Sequence, residues 1–280
     1  VQDGCDHGCA YCIVPSVRGR PLSRPPEEVW AEARRVVASG CAEVVITGVH
    51  LGLYGRDGAC SLGELVRRLG EIEGLRRIRF GSLEPFALSE GLLEELRGVA
   101  AFCPHLHIPL QSGDDGVLRR MRRGYVASDF SRQVEALRRA FGDEVHVSTD
   151  LLVGFPGETE EAFRRTLDLV TQLGLGRLHV FPYSPRPGTA AALWTDRPSR
   201  EEARRRCREA DALGKELLGR YAARFVGREV DLLVEERSEE TVQGLSPHFL
   251  RVRGESPGDP GSLVTVRVRG EDRGVLWGDR

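Results

Sequence analysis

Cys5-Asp6-His7-Gly8-Cys9-Ala10-Tyr11-Cys12 sets three cysteines at C-x3-C-x2-C spacing. Turn formers or small residues flank each of them, so the stretch reads as one loop offering three thiolates. Cuboidal iron–sulfur clusters are held by cysteine thiolates, and a loop with only three leaves one iron open to another ligand. Two other readings stand beside this one. A structural zinc site would use the three cysteines with His7 as fourth ligand, an ordinary Cys3His set. Disulfides would need pairing, and seven cysteines in 280 residues form an odd count without a repeating framework. Ligand type and spacing favour the cluster, a reducing interior and a cytoplasmic location. Cys41, Cys60, Cys103 and Cys207 share no ligand spacing and read as buried or incidental thiols.

Composition sets the frame around that loop. At 280 residues and 40% hydrophobic content, the chain suits one large domain and a small one. No stretch approaches the run of about 18 apolar residues that a membrane span needs, so no membrane partner is expected. The formal net charge is −2, which does not advertise a nucleic-acid partner. Lys215 is the one lysine, and the remaining basic residues are arginines, whose planar fork suits phosphates and carboxylates. A plain compositional bias toward arginine explains this equally well. Val1-Gln2-Asp3 leaves no room for a full strand before the cysteine loop, so the sequence reads as cut short there.

After the loop, strand and helix alternate. Pro25 and Pro26 open a helix over Glu27–Ser39 that Gly40 ends, and Glu43–Thr47 is a short buried strand. Ser61 with Glu64, and Ser199 with Glu202, read as capping boxes. Further strands are expected near Arg77–Phe80, His105–Leu110, Val145–Val153 and Arg177–Tyr183. Helical stretches over Glu90–Val99, Ser128–Phe141 and Thr159–Leu173 separate them. This order predicts an α/β fold of parallel strands with helical crossovers. Each strand runs into a polar or glycine-rich loop, and in α/β barrels those C-terminal strand ends form the active face.

The cysteine spacing, with an aromatic residue before the last cysteine, resembles the signature of radical S-adenosylmethionine (SAM) enzymes. There the open iron is chelated by the amino and carboxylate groups of SAM. Roles at the mouth follow from chemistry. Thr47-Gly48-Val49 exposes backbone groups suited to an ammonium, though a plain strand exit reads the same way. Ser82 and Glu84 lie in one strand-end loop, and the Glu84 carboxylate suits ribose hydroxyls, an ammonium or a helix cap. Gln111 and Ser112 suit ribose or carboxylate, and Tyr11 suits the adenine. His105, His107, His146 and His179 sit in apolar strand contexts and read as core histidines.

The last sixty residues change character. Short strands are expected at Glu229–Glu235, Thr241–Gly244, Phe249–Arg253, Leu263–Arg269 and Gly274–Trp277, spaced by Gly, Pro and Ser as in a small all-β barrel. The boundary falls at 222/223, giving a core domain over 1–222 and a separate module over 223–280. Period-two alternation turns Arg251, Arg253, Arg267 and Arg269 outward and Val252, Val266 and Val268 inward. Such a strip could follow a phosphate backbone. Equally, it could be solvated decoration.

Gln2–Pro15, with Arg18-Gly19-Arg20 and Ser23-Arg24 after it, resembles the core of the methylthiotransferases that modify tRNA and ribosomal protein S12. Thr47–Gly55, Cys103–Gly113 and Phe181–Thr189 are most similar to the subgroup acting on N6-threonylcarbamoyladenosine of tRNA. The resemblance implies a partial (β/α)6 barrel of the TIM-barrel kind and a C-terminal TRAM-like RNA-binding barrel. It implies one [4Fe-4S] cluster on Cys5, Cys9 and Cys12, and SAM as a second cofactor. It implies tRNA and an electron donor as partners. The activity implied is addition of a methylthio group to C2 of the modified adenosine at tRNA position 37. The isopentenyladenosine and ribosomal-protein enzymes come next, and a zinc-stabilised RNA-binding module is the alternative of another class. A substrate carboxylate would favour Arg18, Arg20 and Arg186. Family members carry three more cysteines, holding a second cluster, in an N-terminal domain that this sequence lacks. The chain is therefore expected to be a fragment.

Overall fold

The computed structural model describes residues 1–58, 60–239 and 241–279. Strand β1 (Gln2–Asp3) pairs antiparallel with β2 (Leu22–Ser23), and the cysteine loop and helix α1 (Val14–Arg18) lie between them. A strand does precede the cysteines, though not a full one. At two residues it is too short to carry a hydrophobic pattern. Then follow α2 (Pro26–Ala38), β3 (Glu43–Ile46), α3 (Leu62–Gly70), β4 (Arg77–Phe80), α4 (Glu90–Arg97) and β5 (His105–His107). Next come α5 (Asp115–Met121), α6 (Ala127–Phe141), β6 (His146–Val153), α7 (Glu160–Gln172), β7 (Arg177–Pro182) and the long α8 (Arg200–Ala223).

Helix starts follow their capping chemistry. The Ser61 and Ser199 hydroxyls accept from the Glu64 and Glu202 amides at 3.0 and 3.1 Å, and Thr159 does the same for Ala162. In α2, Val29, Ala33 and Val37 recur every four residues and are buried. Parallel pairs join β3 to β4, and β5 to β6 to β7. Single bridges, Ile78 to Phe102 and Ser82 to His107, connect the two groups, and Gln2 to Gly48 attaches β1. The result is an arc of strands in the order β1, β3, β4, β5, β6, β7, with helices outside it. One continuous apolar core fills the space between strands and helices.

The C-terminal strands β8 (Glu229–Ser238), β9 (Thr241–Leu245), β10 (Arg251–Glu255), β11 (Leu263–Asp272) and β12 (Val275–Asp279) close a barrel in the order β10-β12-β11-β8-β9. Arg251, Arg253, Arg267 and Arg269 are exposed and Val252, Val266 and Val268 buried, as the alternation predicts. The strands run a few residues beyond several expected ends, and Phe249, expected in a strand, lies outside one. It sits in a left-handed turn at φ 59°, with its amide on Ser246, and the strand starts only at Arg251.

The barrel is also less separate than its composition suggests. Tyr221 and Ala222 of α8 belong to its core. Arg77 donates to the carbonyls of Leu245 and Asp231 at 2.8 and 2.9 Å. Arg79, 2% exposed, grips Glu43 and donates to the carbonyls of Pro247 and Ser246. The His146 Nδ1–H donates to the His248 carbonyl at 2.6 Å, and the Phe249 ring stacks on His105 at 4.4 Å. Among the described residues, no helix is long and apolar enough to cross a membrane.

Candidate cluster-binding site

The β1–β2 ladder draws the two ends of the cysteine loop together. Gly4 adopts φ 74°, and a Cβ there would lie 2.1 Å from the Arg20 carbonyl oxygen, so only glycine fits. The Cys5 amide donates to the Gly19 carbonyl at 3.0 Å. Gln2, 6% exposed, locks the base: its Nε2 donates to the carbonyls of Asp3 and Gly4, and its Oε1 accepts from the His50 amide at 2.6 Å. At the far side, the Ala10 amide donates to the Met121 carbonyl, and the Ala10 carbonyl accepts from Ala191.

Cys5, Cys9 and Cys12 are free and half-buried. The Cys5 sulfur accepts from the His7 amide and the Cys9 sulfur from Arg123 Nη1, each at 3.4 Å. Burial pushes the Cys5 and Cys9 thiols up. Metal coordination works the other way, because the ligand is the thiolate. The His7 ring packs against both His50 and Phe86, 4.8 Å from each centroid, and those two rings lie 5.5 Å from one another. That engagement argues against His7 as a fourth zinc ligand. Among the described residues no three His, Cys, Asp or Glu converge as they would on a single ion. A cubane spreads its thiolates over different irons, so three free thiols on one fixed loop fit it.

A buried cation stands behind the loop. Arg123, 5% exposed, donates from Nε to the Tyr125 hydroxyl at 3.1 Å and from Nη1 to the Tyr11 hydroxyl at 3.3 Å, and it forms an ion pair with Glu84. Burial opposes its charge, yet Tyr125, Tyr11, Glu84 and Cys9 together hold its pKa above the ordinary value. Burial pushes the Glu84 carboxyl up against the pull of Arg123. Sequence reasoning missed Arg123 because it ends a run, Arg119-Arg120-Met121-Arg122-Arg123, in which nothing marks one guanidinium as buried.

The other expected residues fall in different places. Thr47 is exposed, and its carbonyl accepts from the Val1 amino group. The Val49 amide donates to the Gln2 carbonyl, and Gly48 lies against the Gln2 side chain. Ser82 is exposed, and Glu84 pairs with Arg123 and caps no helix. Gln111 takes φ 68°, its backbone tied to Asp150 and Leu152. Ser112 is turned away into the protein, accepting from the Asp114 amide and meeting Thr166 at 3.4 Å. Tyr11 meets Arg123 at its hydroxyl and Phe155 edge-on. Arg18 pairs with Asp3 at 3.5 Å, and Arg20 and Arg186 are exposed.

Inside the arc lies a cavity of about 600 Å³, walled by Val45, Phe181, Leu245 and Phe249 among others. His107 lines it, with Nε2 3.1 Å from Asp150 and Nδ1 2.9 Å from the Ser148 hydroxyl. His146 is a core histidine as expected, whereas His105, though buried, lines this cavity together with His107 and His179. Their positions alternate with apolar neighbours that point to the helices, a period-two pattern visible in the sequence once the cavity is known.

Residues 1–170 match the radical SAM superfamily, and the chain belongs to that superfamily. Within it, the chain is 38% identical over 281 residues to the tRNA-2-methylthio-N(6)-dimethylallyladenosine synthase of Thermobifida fusca, covering 96% of this chain and 56% of that protein. It is 39% identical over 236 residues to the threonylcarbamoyladenosine tRNA methylthiotransferase MtaB of Thermotoga maritima, covering 84% and 54%. The resemblance to methylthiotransferases read from the motifs is thus borne out. The chain spans little more than half the length of these relatives. Among solved structures, the radical S-adenosylmethionine methyltransferase TsrM from Kitasatospora setae superposes with TM-score 0.54 at 21% identity, covering 69% of this chain and 36% of that one. Coproporphyrinogen III oxidase from Escherichia coli gives 0.53 at 20%, covering 80% and 52%. These two share the fold.

Proposed function

We propose that this chain forms the core and C-terminal module of a tRNA methylthiotransferase that modifies C2 of N6-threonylcarbamoyladenosine at position 37. The observation that carries the methylthiotransferase reading is the fixed loop of three free cysteines at the mouth of the strand arc, in a chain whose relatives are named as enzymes that add methylthio groups to dimethylallyladenosine or threonylcarbamoyladenosine of tRNA. Cys5, Cys9 and Cys12 would hold a [4Fe-4S] cluster. Together with SAM and an external electron donor, it would supply reductive SAM cleavage.

The chain's own residues bind and orient. Gln2 and Gly4 fix the loop, and Arg123 holds Glu84 and Tyr11 beside it. The cavity inside the arc takes the base out of bulk water. Arg20 and Arg186, both exposed, offer guanidinium groups to the substrate carboxylate. Dimethylallyladenosine is the second reading, favoured by the apolar cavity walls. Sulfur insertion would call on a second cluster, and Cys41, Cys60, Cys103 and Cys207 share no ligand spacing to hold one.

Anaerobic reconstitution should load about four irons per chain, the content of one cubane, and reduction should release 5′-deoxyadenosine from SAM. Changing Cys5, Cys9 or Cys12 to Ala should abolish both, whereas Cys41→Ala and Cys207→Ala should leave both intact. Stoichiometric zinc without iron would overturn the reading. Nucleoside mass spectrometry of tRNA incubated with this chain should show no methylthio product, and its appearance would remove the need for a second cluster. Comparing the affinity of this chain for tRNA bearing each modification then separates the two substrates.

A further inference from the structure

We infer that Arg123 is a positioning residue that holds the cysteine loop through Cys9 and sets the charge felt by the metal there. This rests on the cluster reading above. Three walls of the site meet at its guanidinium: Cys9 and Tyr11 of the loop, Glu84 after β4, and Tyr125 beyond α5.

The backbone aims it there. Arg122 ends α5 in the left-handed conformation at φ 59°, and the Arg123 amide turns back to the Leu118 carbonyl at 3.1 Å. The reversal sends the Arg123 side chain inward, while the Met121 carbonyl of the same turn takes the Ala10 amide at 2.9 Å. One helix end therefore fixes the loop twice, by backbone at Ala10 and by guanidinium at Cys9. Tyr125 is held in turn by the Pro109 and Leu110 carbonyls at 2.8 and 3.0 Å, so the fork has rigid partners on each side.

A cation donating to a ligand sulfur stabilises the more negative, reduced state of a cluster, and Glu84 opposes it. Lysine can supply the charge but not a planar fork reaching four partners.

The reduction midpoint of the reconstituted protein, followed by electron paramagnetic resonance, should fall in Arg123→Gln and return most of the way in Arg123→Lys. It should rise in Glu84→Gln, where the opposing charge is gone. In iron-free protein, iodoacetamide mapping should show Cys9 alkylated severalfold faster in Arg123→Lys, which keeps the charge that favours the thiolate but loses the fork, with Cys41 unchanged. Midpoints that coincide across the iron-loaded variants would overturn the electrostatic role. Unchanged Cys9 alkylation would overturn the clamp. If Arg123→Gln takes up no iron, the sign of the Glu84→Gln shift decides the electrostatic role. Absence of iron from the wild type would strike the cluster reading itself, and the alkylation comparison would still test the clamp.

Discussion

Gly4 shows how closely the cysteine loop is specified. A methyl group there collides with backbone and demands a φ that side chains rarely adopt, so Gly4→Ala must open the β1–β2 junction. We expect it to cost about 1–3 kcal/mol, the range of strain at such positions. Iron retention after gel filtration should drop while far-ultraviolet circular dichroism stays near wild type. The cysteines were legible from sequence because ligand chemistry and spacing are local properties. Arg123 was not, since its burial depends on where a helix stops and which of several arginines the reversal turns inward. Ser112 misled for the opposite reason. Its side chain has the right chemistry for a ligand, but Thr166 on a distant helix and its own loop claim it.

At the level of elements, strand alternation was readable because period two maps directly onto inside and outside. What it did not reveal is the company of the outward arginines. Arg269 is paired with Asp279 at 2.9 Å and Arg251 with Glu235 at 3.6 Å, whereas Arg253 bonds the neutral Gln243. Acidic partners reduce what two of the four can give to phosphate. Replacing Arg253 and Arg267 with Gln should flatten the salt dependence of tRNA binding by roughly 0.7–0.9 per lost contact, and replacing Arg251 and Arg269 should do less. Equal slopes for the two double variants, measured by filter binding across a salt series, would contradict this.

Histidines between the arc and the C-terminal barrel make a second prediction at this scale. Burial lowers His146 to about 3 and His248 to about 4, and drives His105 well below the ordinary value. A histidine whose folded pKa is depressed binds its proton more readily unfolded, so stability is complete above about pH 6.5 and is lost as pH falls toward 4. Each contributes on the order of 1 kcal/mol per pH unit in that window. The melting temperature should decline from pH 6.5 to 4.5, and His248→Gln should make that decline shallower.

Across the whole molecule, the arc and the β-barrel were each recognisable from strand spacing, but their union was not. Arg77 and Arg79 read as strand residues, and only the folded chain shows their guanidiniums reaching carbonyls more than 150 residues away. Arg79→Ala would leave Glu43 with only the longer Arg77 contact at 3.8 Å and the Ser246 and Pro247 carbonyls without their donor, a loss toward the lower end of about 3–5 kcal/mol. Denaturant unfolding followed separately by Trp30 and Trp277 fluorescence, with the other tryptophans replaced, should remain a single shared transition in the parent. It should separate in the variant. Removing residues 224–280 would likewise strip a wall from the cavity and expose the inner face of β4, so SAM cleavage should fall together with RNA binding.

The turn at Ser246–Phe249 anchors that wall, since its carbonyls receive Arg79 and His146 and its phenyl ring, which lines the cavity, covers His105. Modules joined in this way do not trade freely between lineages. A chimera carrying a relative's barrel should accumulate as soluble protein only when the donor turn matches the recipient's arginines, so inheritance of the two parts is coupled through four residues of one loop.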